Sequence, residues 1–182
     1  MNPWTTEQAS ASGIDSDLNV AISVTEQNGL DLKSYLIKRG VPFPEGSVSA
    51  DDAFVLQCGD EQIPVQTKPL ELYEDGSVKW LLTAFAVDLS ANETKELILK
   101  KGESSSDEHS VITAQNGQTV SLSNGILSLE VSGFGINKLQ YGDCDVLQGN
   151  GMSVWAMQGG RYPQKSGSVE IIDEGPVYTT VK

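Results

Sequence analysis

At 182 residues, this chain is long enough for one generous domain or two small ones. Its formal net charge is −13, from 25 Asp and Glu against 12 Lys and Arg; such a surface repels phosphate backbones and anionic bilayers, so neither nucleic-acid nor membrane binding is expected. With 38% hydrophobic residues, 18 Gly and 7 Pro, a core can form, but turns are favoured over long helices.

No apolar run approaches the length of a membrane span. Residues 1–17 lack the charged and apolar regions of a secretory signal and have the polar composition of a flexible lead. A cytoplasmic protein with a native Met1 and an extracellular one whose signal was removed are both compatible with this start.

From Leu18 the chain alternates. Leu18, Val20, Ile22 and Val24 interleave with small or polar residues, the period of a half-buried strand. Asn28-Gly29 marks a tight turn. Residues 34–39 suit a helix turn or a strand equally. Pro42 and Pro44 exclude a helix from Gly40-Val41-Pro42-Phe43-Pro44-Glu45-Gly46, which reads as a rigid connector. Strands are expected over 53–58 and 63–67, the second bearing Pro64 near an end or edge.

Asp75-Gly76 heads the strongest segment, 77–87. Period two puts Val78, Trp80 and Leu82 on one face and Leu81, Phe85 and Val87 on the other. Apolar on both sides, it is expected to run through the centre of the core with Trp80 buried. A strand over 96–100 follows. Residues 103–110, with Ser104-Ser105-Ser106-Asp107, form a polar linker. Strand and turn then resume over 111–112, 120–122, 126–131, 136–141, 152–157, 169–172 and 177–181, with Asn116-Gly117 and Asn124-Gly125 as turns. The expected fold is all-β: a barrel over 18–102 and a second sheet unit over 111–182 that lacks some of its strands.

Two patches carry a family resemblance. The first is Gly40-Val41-Pro42-Phe43-Pro44-Glu45-Gly46, then Ile63-Pro64-Val65-Gln66, then Asp75-Gly76-Ser77-Val78-Lys79-Trp80-Leu81-Leu82. It resembles the N-terminal RIFT-type barrel domain of the exo-rhamnogalacturonan lyase family. The second is Ser123-Asn124-Gly125-Ile126-Leu127-Ser128-Leu129 with Glu174-Gly175-Pro176-Val177, similar to the opening of that family's central β-sandwich. Tyr73-Glu74 stands in this chain where the family pattern has a Trp before Asp-Gly-Ser. The resemblance implies a small RIFT-type β-barrel followed by a partial β-sandwich, with a C-terminal α/α toroid, or a partner chain, supplying the catalytic part. It implies a pectic saccharide as ligand class and a supporting role, with no catalysis by this chain alone. A standalone carbohydrate-binding or adhesion module, and an assembly protein pairing through an exposed sheet edge, are the alternatives.

Site candidates are sparse. Polysaccharide elimination needs a base and a group that stabilises the resulting anion. His109, the single histidine, lies in the linker, which suggests no pocket. Trp155, Arg161 and Tyr162 could hold a carboxylated sugar, the indole stacking on a pyranose and the Arg–Tyr pair meeting the carboxylate, with Lys165 as a further cation; a turn with a core tryptophan and a surface arginine explains the same residues. Asp143-x-Asp145 near Asn150 is an incomplete calcium loop, so no metal is expected. Gly133-Phe134-Gly135 lacks the rest of a dinucleotide fingerprint, so no cofactor is expected. Cys58 and Cys144 could pair, but two free buried thiols are the expectation. Asn92-Glu93-Thr94 fits a glycosylation acceptor.

Overall fold

The computed structural model describes residues 18–103, 112–133, 135–147 and 167–182, and these residues are all-β. The chain divides into two compact units, Met1–Ser106 and Asp107–Lys182.

The first unit contains β1 (Asn19–Thr25), β2 (Leu32–Pro42), β3 (Phe54–Cys58), β4 (Glu61–Ile63), β5 (Val65–Leu72), β6 (Val78–Leu89) and β7 (Thr94–Lys101). They form two antiparallel sheets, ordered β1-β7-β3-β4 and β2-β6-β5. Pro64 stands between β4 and β5, where the missing N–H interrupts the ladder and the chain changes sheet. The expected single strand over 63–67 is therefore two. The open choice over 34–39 resolves as strand, and β2 runs on to Pro42, so the rigid connector begins three residues into the proline-rich stretch, at Phe43.

Between the sheets lies one apolar cluster. Phe85, Leu56, Leu97, Leu99, Val48 and Val78 are fully buried in it. Phe43 and Phe54 pack ring to ring, centroids 6.1 Å apart. The period-two reading of β1 matches its burial, with Val24 inside and Val20 and Ile22 half-buried against the core.

Trp80 departs from its expected place. It is 39% exposed, whereas Val78 and Phe85 on the same strand are 0% exposed. The cause is ordinary alternation, which puts Trp80 with Leu82 on the face opposite Leu81 and Phe85, while ladder irregularities account for the inward Val78. In the β5–β6 register Pro69 faces Leu81, Glu71 faces Trp80 and Leu72 faces Val78, so Leu70 and then Lys79 are passed over. Each extra residue shifts the alternation by one. Val78 consequently shares the inward face with Leu81, Thr83, Phe85, Val87 and Leu89, while Trp80 keeps the outer face that it shares with Leu82.

The second unit holds a five-stranded antiparallel meander of β8 (Ile112–Asn116), β9 (Thr119–Ser123), β10 (Leu127–Ser132), β11 (Gly135–Tyr141) and β12 (Cys144–Leu147). A two-stranded ribbon of β13 (Ile171–Asp173) and β14 (Thr180–Val181) follows. Leu122, Leu129 and Leu139 sit side by side across the meander, with Val120 fully buried on the same face. Asn124 makes the expected turn, its side-chain oxygen accepting the N–H groups of Ile126 and Leu127. The strand β12 has too short an apolar pattern to be visible in sequence. Cys58 is half-buried and Cys144 exposed, both free, which corrects the expectation that both thiols are buried.

Candidate functional site

Two motifs far apart in sequence meet in the first unit. The Asp75-Gly76-Ser77 turn closes on itself: the Asp75 carboxylate accepts the Ser77 hydroxyl at 2.6 Å and its N–H at 2.9 Å. These bonds hold the Asp75 carboxyl below the usual carboxylate range, the Ser77 hydroxyl contributing most. Gly76 sits at φ +84°, a conformation that glycine adopts without a Cβ penalty. The proline-rich connector is then tied to this turn by its backbone. Gly46 N–H donates to Ser77 Oγ at 2.8 Å, Phe43 N–H to the Lys79 carbonyl at 3.0 Å, and Val78 N–H to the Val48 carbonyl at 2.8 Å. Tyr73 Oη donates to the Phe43 carbonyl at 3.0 Å. Tyr73 is thus committed to bracing the connector.

Beside this junction lies Trp80. Its strand partners are Pro42 on β2 and Glu71 on β5. A Cβ added to Gly40 would lie 3.3 Å from Trp80 Cε3 and 3.6 Å from Cζ3, so the six-membered ring of the indole rests against bare glycine backbone. Around it, Pro42 is exposed, Leu82 half-buried and Leu70 57% exposed. Lys68 faces Leu82 across the ladder. Lys79 Nζ meets Glu71 Oε1 at 2.7 Å and lies 5.9 Å from the centroid of the Tyr73 ring. The surface is an exposed aromatic face bordered by apolar residues and by hydrogen-bonding groups of both signs.

The residues singled out for saccharide contact, Trp155, Arg161 and Tyr162, lie outside the described residues, as do His109, Asn150 and Lys165. Asp143 and Asp145 are exposed at the β11–β12 turn. Among the described residues no group of three or more His, Cys, Asp and Glu converges as a metal site would require. The second unit carries a shallow depression lined by Ala114, Ser121, Ser128, Glu130 and Lys138, in which hydroxyls face a cross-strand Glu–Lys row. Period-two reading puts Trp80 with Leu82 opposite Leu81, Phe85 and Val87, as the structure has it; the expectation that failed is that this second face is buried. The available signal was Gly40, a residue without a side chain placed where an aromatic ring can cover it.

Two sheets of four and three strands around one apolar core, with a corner at Pro64, define a small antiparallel barrel domain. Residues 35–102 match the family model described as PcRGLX-like N-terminal RIFT barrel domain, so this stretch is similar to the N-terminal barrel of the rhamnogalacturonan lyase-like proteins. The match runs from Tyr35 in β2 through the end of β7 and includes both motifs that form the junction. A comparison with curated proteins finds no match to this chain.

Proposed function

We propose that this chain is a non-catalytic portion of a rhamnogalacturonan lyase-like protein, bracing or shaping one wall of a carbohydrate-active site. The observation that supports it is the match of residues 35–102 to a domain described as N-terminal in that family. The charged groups of the motif junction fit a structural role. Asp75 is occupied by the turn, Lys79 by Glu71, and Tyr73 by the connector. None is left poised for proton abstraction, which needs a base near the working pH with access to substrate.

The test is direct. Elimination creates a conjugated double bond that absorbs in the ultraviolet. The chain incubated alone with rhamnogalacturonan is expected to give no rise in absorbance. A rise that scales with protein concentration would overturn the non-catalytic role. A standalone saccharide-binding module is the second reading, favoured by the outward Trp80; glycan retention in the absence of any other domain distinguishes it.

A further inference from the structure

A tryptophan on a central strand is ordinarily spent on the core, where its large area gives the greatest hydrophobic return. Here Trp80, the one aromatic ring of β6 besides Phe85, stands on the outer face of the strand and is 39% exposed, while the skip at Lys79 turns Val78 inward beneath it. The neighbouring residues add to the effect. Gly40 supplies a flat seat against which part of the indole rests, while 39% of the residue stays exposed. Pro42, Glu71, Lys68 and Leu82 border it.

We infer that Trp80 is a saccharide-stacking platform, taking the apolar face of a pyranose ring. The inference rests on the reading of this chain as part of a carbohydrate-acting protein. A pyranose presents C–H groups on one face and hydroxyls at its edge. An exposed indole meets the first, and carboxylate and ammonium groups at its border meet the second. The ring's negative face attracts the slightly positive C–H groups through the same quadrupole that attracts cations. A protein partner would be served by the same aromatic, but the mixed charges of Glu71, Lys79 and Lys68 around a single ring suit a hydroxyl-rich edge better than a dry protein interface, which is depleted of charge at its centre.

Affinity electrophoresis of the full 182-residue chain tests this, using gels that contain rhamnogalacturonan, polygalacturonate or a neutral galactan. The wild-type chain is expected to be retarded in at least one gel, and the choice of gel reports whether an acidic or a neutral sugar is preferred. Trp80→Ala is expected to weaken retention about tenfold. Trp80→Phe keeps a smaller ring and should retain part of it. Gly40→Val adds a Cβ 3.3 Å from the indole, tilting the ring without removing it, and is expected to weaken retention as well. Far-ultraviolet circular dichroism checks that each variant keeps its strands. If Trp80→Ala unfolds, Trp80→Phe and Gly40→Val carry the comparison. Retention that ignores all three changes, or no retention in any gel, overturns the inference. Neither result touches the non-catalytic reading, which stands or falls on the ultraviolet product assay.

Discussion

The carboxylate of Asp88 accepts the backbone N–H of Ser34 at 2.7 Å while its other oxygen meets the Lys33 ammonium at 2.9 Å. Ser34 sits at φ +46°, in the left-handed region, where a residue with a Cβ is strained. The β2–β6 ladder is irregular at this point: Leu32 faces Leu89 and Tyr35 faces Val87, so Lys33 and Ser34 together stand opposite Asp88 alone. The carboxylate satisfies the N–H that the bulge frees. Asp88→Ala is expected to lower the melting temperature and to speed hydrogen exchange at the Ser34 amide; Ser34→Gly, which relieves the strained φ, should raise stability. Unchanged exchange at Ser34 in the alanine variant would show that the carboxylate does not hold the bulge.

Glu26 is 3% exposed and accepts four backbone N–H groups: Asn28 at 2.7 Å, Gly29 at 2.8 Å, Leu30 at 3.1 Å and Asn92 at 2.9 Å. One carboxylate therefore closes the β1–β2 turn and joins it to the β6–β7 turn. The Asn92 N–H is the largest cause holding its pKa below the usual glutamate range, against the opposing effect of burial. A lowered native pKa means that the unfolded chain binds its proton first. The stabilisation is therefore whole at neutral pH and is lost as pH falls through the ordinary carboxylate range to the native value. Glu26→Gln is expected to lower stability at pH 7 and to flatten part of the acid limb of a stability-versus-pH curve. An acid limb identical to the wild type would contradict this.

Thr83 is fully buried and its hydroxyl has no hydrogen-bond partner. Thr83→Val keeps the shape and removes the unpaired group. It is expected to stabilise the barrel by about 1 kcal/mol, read from a shift of the urea midpoint at constant slope.

Phe85 and Trp80 lie on the same strand and should respond in opposite ways. Phe85 is 0% exposed at the centre of the core, so Phe85→Ala is expected to cost about 3–5 kcal/mol. Trp80→Ala removes a ring already in contact with solvent and is expected to cost roughly 1 kcal/mol. A loss at Trp80 as large as that at Phe85 would return Trp80 to the core.

Much of the barrel was legible because its alternation is regular. Val20, Ile22 and Val24 declare the inner face of β1, and Asn28-Gly29 and Asp75-Gly76 declare their turns, with Gly29 and Gly76 at the positive φ that such turns require. Legibility failed where the ladder skips. Nothing in Pro69-Leu70-Glu71 or Val78-Lys79-Trp80 announces an extra residue, because a bulge is fixed by the pairing of two strands and pattern is read along one. Ser34 and Asp88 hide a second skip for the same reason. The meeting of the proline-rich connector with the Asp-Gly-Ser turn rests on hydrogen bonds between backbone and side-chain hydroxyls some thirty positions apart, which leave no periodic trace. Cys144 to Leu147 was too short, and too exposed, to read as a strand.

The central claim is that a surface tryptophan of this barrel meets sugar. Replacing Trp4 and Trp155 by Phe leaves Trp80 as the sole indole, and its emission can then be followed as a rhamnogalacturonan oligosaccharide is added. The account requires a long-wavelength emission that acrylamide quenches readily in the free protein, with quenching suppressed as the saccharide binds. A short-wavelength emission insensitive to acrylamide, or an exposed indole that the sugar does not protect, would contradict it.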